Sequence, residues 1–242
     1  MLTQPSHSSE MSGAAIRLRA WRSSVRTPGP IQRLLQAIGL ALFVCALSLR
    51  VHAGSQLQEP LADAVRTALS AAVSQDDVPR AAFERSELVS TRNAWVQRTL
   101  PLLERRLRRV TVAQWRQEWS SPTLQRELLE TVWYEATRAR LEPELVLGLI
   151  EVESDFRKFA VSSAGALGLM QVMPFWMRDL AQEESRRLFH LRTNLRFGCV
   201  ILRHYLDREA GDLFMALGRY NGSRGQAAYP QAVLAARARW KS

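Results

Sequence analysis

From Pro60 to Trp240 apolar residues return at helical intervals, and no strand-rich stretch interrupts them. Spacings of three and four residues place side chains on one face of a helix, so a chain patterned this way buries its core between helices. Leu61, Val65, Leu69 and Val73 form one such stripe in Pro60–Ser74, and the segment Gln75–Arg80 breaks it. A second stripe runs from Phe83 to about Trp119 through Trp95, Leu100, Leu103, Leu107, Val110 and Trp115, with Pro101 expected to end or kink it. Ser121-Pro122 reads as a helix start, Ser as the cap and Pro in the first turn, for a helix to about Arg140 with Leu124, Leu128, Val132 and Ala136 on one face. Pro143 opens another helix to about Ser154. Residues 155–173, with Gly165 and Gly168, read as irregular or as a small hairpin. Further helices are expected from Asn194, as cap, to about Glu209, over Leu213–Tyr220 and over Pro230–Trp240.

The N-terminus has a different character. Residues 1–53 hold six arginines and a single acid, Glu10, so half of the formal charge of +10 sits there. The basic stretch leads into Ala37–Leu49, an apolar run of 13 residues, where a spanning helix needs about 20. Val51 and Ala53 then stand three and one residues before a cut in VHA|GSQ. Basic region, short apolar region and small residues at the cut describe a secretory signal peptide, with Met11 as an alternative start. Two other outcomes stay open: an uncleaved leader would tether the rest to the inner membrane, and an Arg-rich, acid-poor leader also suits a mitochondrial transit peptide. Cys45 lacks the small residues before it that a lipoprotein requires. The organisation is therefore 1–53 leader, 54–119 a helical N-terminal region opening with a linker at Gly54–Glu59, and 120–242 a main domain.

Once the leader is removed, Cys199 is a lone cysteine, and a buried structural role fits it. The histidines show no metal-ligand spacing with Cys45 or Cys199, so neither metal nor cofactor is expected. The basic balance would suit a polyanion, but no nucleic-acid motif accompanies it, and a solvated basic surface accounts for the charge.

The helix Pro143–Ser154 carries the chemistry. Glu153 shares its face with Ile150, Leu149 and Val146, whereas Glu151 shares a more polar one with Gly148, Leu147 and Glu144. A carboxyl that points where apolar residues go is costly to ionise, so its pKa rises toward the range a general acid uses near neutrality. A terminal Glu that bends to solvent is the plain alternative. Asp155, two residues on, reads as an exposed turn acid rather than a second catalytic carboxylate.

After Glu153-Ser154 the chain runs on to Ser162, Gly165-Ala166, Gly168-Leu169-Met170-Gln171 and Met173-Pro174, and a second block, Ala216 to Gly222, contains Tyr220-Asn221. Between them Asn194 and Gly198 stand four residues apart. This pattern resembles the soluble-type lytic transglycosylases of bacteria, relatives of goose-type lysozyme, over about residues 125–240. The usual Tyr-Asn-Ala-Gly-x-Gly segment departs here, reading Tyr220-Asn221-Gly222-Ser223-Arg224-Gly225 and soon Tyr229-Pro230.

The resemblance implies a mainly α, lysozyme-like fold (α+β with at most a very small β element) with the additional α-helical N-terminal region in front. It implies an exported, periplasmic enzyme acting on peptidoglycan glycan strands. Glu153 would cleave the β-1,4 bond between N-acetylmuramic acid and N-acetylglucosamine as acid and then base, leaving 1,6-anhydromuramoyl ends. Ser162, Gln171 and Met173 would line sugar subsites. Tyr220 would hydrogen-bond near the Glu, and Asn221 would bind or support. An ordinary glycosidase needs two carboxyls, and a single-carboxyl site works where the substrate's N-acetyl group stabilises the charge at C1. Met170 and Met173 also fit core positions, and Phe175 and Trp176 fit packing as well as sugar stacking. A hydrolytic lysozyme, a non-catalytic wall-binding protein and a basic nucleic-acid-binding helical protein are the rival readings.

Overall fold

The structure, a computed structural model, describes residues 56–61, 63–74, 86–109, 117–182 and 184–241. The leader, the linker's first residues, the break at Gln75–Arg80, Phe83, Val110 and Trp115 lie outside them. The described helices are α1 (Asp63–Ser74), α2 (Ser86–Arg108), α3 (Pro122–Arg138), α4 (Pro143–Ser154), α5 (Pro174–Ala181), α6 (Leu191–Arg208), α7 (Leu213–Asn221) and α8 (Ala228–Trp240), with a 3-10 turn at Ser185–Phe189 before α6. The fold is mainly helical, and its β content among the described residues is two isolated antiparallel bridges, Val161 with Leu167 and Leu167 with Val172. None of the described helices is long and apolar enough to cross a membrane.

Local chemistry sets the helix ends. Ser121 caps α3, its side chain accepting from the Leu124 N–H, with Pro122 in the first turn. Asp212 does the same for α7 through Met215 N–H, and Gly222, left-handed at φ 82°, ends that helix. Helix α2 runs through Pro101, although proline removes a helical hydrogen bond. Pro101 and the residue four before it, Gln97, both face solvent, while Trp95, Val96, Leu103 and Leu107 anchor the helix on its buried side. Helix α5 and the 3-10 turn have no counterpart in the sequence reading. Their signal was Pro174, which begins a helix that no side chain caps.

Helix α4 is buried on more faces than its pattern implied. Leu145 to Ile150 are all buried, Gly148 included. A Cβ on Gly148 would come within 2.6 Å of the Arg237 backbone nitrogen, so only glycine allows α8 to lie this close. The face read as polar is therefore a helix–helix contact. Glu151 still finds charge there, pairing with Arg106 of α2 and Arg239 of α8.

The N-terminal helices are bonded to the main domain. Trp95 of α2 donates its indole N–H to Glu144 at 2.8 Å, and Arg106 pairs with Asp155. The C-terminal carbonyls of α1 are taken up by two arginines: Arg138 donates to Ala72 at 2.6 Å and Arg196 to Val73 at 3.3 Å. Both arginines also flank Glu135, which is 1% exposed. Burial raises the pKa of Glu135 and the two guanidiniums oppose that rise. Orphan carbonyls at a helix end need such partners. Gln56–Leu61, the end of the expected linker and the start of α1's stripe, is likewise bonded to the main domain: Gln58 donates to Asp179 at 3.1 Å and Glu59 pairs with Arg208 and Arg219. A linker composition predicts no such anchoring; three specific polar contacts supply it.

Candidate active site

Glu153 lies in the last turn of α4, 4% exposed. Its face-mates Val146, Leu149 and Ile150 are fully buried, so Glu153 stands on the apolar face of α4 that its spacing predicts. One carboxyl oxygen accepts from the Tyr229 hydroxyl at 2.5 Å. The other is buried without a hydrogen-bond partner. Burial pushes the pKa up to about 8, and the Tyr229 hydrogen bond opposes that rise. The carboxyl is thus protonated at neutral pH and can give its proton away, as a general acid must. Burial in turn pushes the Tyr229 hydroxyl well above its ordinary range, so it remains a donor.

The chain after α4 turns sharply. Asp155 and Phe156 both adopt left-handed backbone, at φ 53° and 62°. Such conformations persist in non-glycine residues where neighbours hold them. Trp119 donates to the Phe156 carbonyl at 2.7 Å, the Phe156 ring meets Trp240 at 5.5 Å, and Arg106 holds the Asp155 carboxylate. Asp155, expected as an exposed turn acid, is half-buried and ion-paired.

The segment 160–173 folds into a small hairpin about Leu167. Ser162 ties its first arm: its N–H donates to the Ala166 carbonyl and its hydroxyl accepts from the Ala166 N–H, both at 3.0 Å. A hydroxyl used there as acceptor keeps a proton to donate. Gly168, at φ 76°, leaves room for Asn194, whose amide nitrogen would lie 2.4 Å from a Cβ at that position. Asn194 is not the cap of α6, which begins at Leu191. Its side chain instead accepts from Met170 N–H at 2.8 Å and donates to the Leu167 and Leu188 carbonyls at 2.9 and 2.8 Å. One turn on, Gly198 makes space for the Met170 side chain, whose sulfur would sit 2.4 Å from a Cβ there. The Asn194 and Gly198 spacing thus places both residues against the same turn of the hairpin.

The residues expected at the sugar subsites are placed unequally. Gln171 is 1% exposed with left-handed backbone, φ 49°, and its amide nitrogen donates to Gly168 and Ala160 carbonyls at 2.8 and 3.2 Å. It props the hairpin from within. Ser162 and Met173 are half-buried, whereas Met170 is fully buried. Phe175 and Trp176 pack, 9% and 3% exposed. Asn221 is buried in the last turn of α7. Tyr220 lies within electrostatic reach of Glu153, its hydroxyl donating to the Met170 carbonyl at 2.7 Å, and the hydroxyl on the carboxyl itself is that of Tyr229. The physical reason lies in the chain after α7. Gly218 lets the Arg224 backbone approach, since a Cβ would meet it at 2.8 Å, and Gly222 turns the chain back. That compact return delivers Tyr229 on α8 to Glu153. The departure Gly222-Ser223-Arg224-Gly225 followed by Tyr229-Pro230 was the signal for it.

Residues 130–241 match the family model of the transglycosylase SLT domain. The chain is 35% identical over 98 residues to a transglycosylase of Enterobacteria phage PRD1, covering 40% of this chain and 36% of that one. It is 53% identical over 49 residues to membrane-bound lytic murein transglycosylase C of Actinobacillus pleuropneumoniae serotype 5b (strain L20), covering 20% of this chain and 13% of that one. With the protein of the same description from Haemophilus ducreyi the identity is 33% over 101 residues, 39% of this chain and 24% of that one. The chain thus spans about a third or less of the length of each of these relatives. The segment that carries Glu153, the hairpin and Tyr229 is thus the one that matches the transglycosylase SLT domain family.

Proposed function

We propose that this protein is a peptidoglycan lytic transglycosylase that uses Glu153 as its single acid and base. The observation that carries the reading is the state of that carboxyl: buried, raised to about 8, bonded by Tyr229 on one oxygen and bare on the other. The bare oxygen is the one left to carry the proton, since the other accepts from Tyr229. Glu153 would protonate the oxygen between N-acetylmuramic acid and N-acetylglucosamine as the bond to C1 breaks. The carboxylate so formed, stabilised by the Tyr229 hydroxyl, would take the proton from the muramoyl C6 hydroxyl as that oxygen closes on C1. The product is a 1,6-anhydromuramoyl end, and no water is consumed.

A single carboxyl suits the surroundings. Burial and Tyr229 govern the Glu153 titration, with no second carboxylate among the described residues acting on it. Asp155 and Glu151 are engaged by Arg106. The positive charge developing at C1 then falls to the substrate's own N-acetyl group, a known exception to the two-carboxylate rule. Ser162 and Met173 are assigned to the sugar subsites, with Gln171, Tyr220 and Asn221 supporting them from beneath. The leader places the enzyme in the periplasm, cleaved after Ala53 or retained as an inner-membrane tether, with peptidoglycan strands as its partner.

The test is mass spectrometry of muropeptides released from purified sacculi by the protein and by its Glu153→Gln variant. Anhydro-muropeptides from the parent and almost none from the variant are expected. Reducing-end products would assign a lysozyme instead, and no release from either would leave a wall-binding protein.

A further inference from the structure

Glutamine is seldom fully buried, yet Gln56 is 4% exposed, and it precedes the segment that the family match covers. Its side-chain oxygen accepts from the Met173 N–H at 3.3 Å. Its amide also bears on the Tyr220 hydroxyl, while the amide nitrogen completes no well-formed hydrogen bond of its own. Tyr220 in turn donates to the Met170 carbonyl. The turn Met170–Met173 is thus gripped at both ends, by Tyr220 at its first carbonyl and by Gln56 at its last N–H. Between the grips lies Gln171 with left-handed backbone, a conformation that persists in a non-glycine residue where surroundings restrain it.

We infer that Gln56 is a positioning residue for the reaction, bracing the strained Met170–Met173 turn against Tyr220 beside Glu153. The inference rests on the transglycosylase reading for its effect on rate, but not for its effect on the turn. The strap that carries Gln56 is fixed independently by Gln58 to Asp179 and by Glu59 to Arg208 and Arg219, so the brace arrives on an anchored segment. It makes a residue outside the matched domain part of the working site.

The full chain is compared with Gln56→Leu, Gln56→Glu and Gln58→Ala. Amide exchange is read at Met173, and turnover is read on soluble peptidoglycan strands. Gln56→Leu keeps the bulk and removes the acceptor. It should speed Met173 exchange and lower kcat, each about tenfold, with KM changed less than about twofold, the pattern of lost orientation. Gln56→Glu restores the acceptor and should return Met173 exchange and kcat toward the parent. Gln58→Ala, which loosens the strap elsewhere, should match the parent in both. Unchanged Met173 exchange in Gln56→Leu overturns the inference. So does a kcat that falls alike in Gln56→Leu and Gln58→Ala in step with melting temperature. A parent without activity on any strand would sink the transglycosylase reading alone, and Met173 exchange would then uphold or overturn the brace by itself.

Discussion

The Tyr229 hydroxyl donates to the Glu153 carboxyl at 2.5 Å across 76 residues of sequence. Among the influences on that carboxyl it alone favours the charged form, against burial. Tyr229→Phe should therefore push the Glu153 pKa above its value of about 8. The proton would still be given, but the carboxylate formed in the first step would be less stable. A fall in kcat of about 10- to 100-fold is expected, smaller than the loss of the general acid itself would cause, with the alkaline limb of the pH profile moved upward. A Tyr229→Phe profile superimposed on the parent's would refute this role.

For the parent, activity should hold through neutrality and decline as pH rises through about 8, where Glu153 loses its proton. The same shift acts on stability with a definite sign. An acid whose pKa is raised on folding binds its proton more tightly in the folded state. The fold is therefore unpenalised below the ordinary value of 4.5 and loses stability between 4.5 and about 8. Each pH unit in that window is worth up to about 1.4 kcal/mol. Glu153→Gln should abolish turnover and melt higher than the parent, by a margin that widens from pH 5 to pH 8. Melting curves at those two pH values measure it, and a constant margin would contradict the assignment.

Asn194 makes three hydrogen bonds, two that fix the hairpin to α6 and one to Leu188 of the 3-10 turn. Asn194→Ala leaves Met170 N–H without its acceptor in a fully buried turn. A loss of about 2–4 kcal/mol is expected, from the cost of orphaned buried groups. Gly198→Ala should be comparably damaging, since the new methyl would have to displace Met170. Denaturant unfolding measures both, and activity should fall with the hairpin rather than with Glu153 titration.

The buried Glu135 sits between Arg138 and Arg196 beneath the end of α1. Arg196→Met removes one counter-charge and one ligand of the Val73 carbonyl. Breaking a buried pair from one side costs about 3–5 kcal/mol. The pKa of Glu135, already raised by burial, should rise further in this variant. The destabilisation should accordingly be smaller at acid pH, where the carboxyl is neutral, and chemical unfolding at pH 5 and pH 8 tests that difference.

Much of this was legible locally. Ser121-Pro122, Pro143 and the Leu213 helix were read to within a residue or two because caps, prolines and apolar spacing act over a single turn. Helix α5 and the start of α6 were not, because α5 has no side-chain cap and Asn194, a cap by composition, is spent on the hairpin. The motif places Tyr220 near Glu153, but only the compact return through Gly218 and Gly222 puts a hydroxyl on the carboxyl itself, that of Tyr229.

The sequence by itself determined the helical architecture, the leader pattern and the face on which Glu153 stands, all properties of residues within a turn or two of one another. Tertiary structure alone decided how deeply that carboxyl is buried, which tyrosine bonds it and that Gln56 braces the neighbouring turn. Those outcomes depend on how closely α8 approaches Gly148 and where an anchored strap crosses the domain. Both are set by packing between segments distant in the chain, which no local spacing encodes.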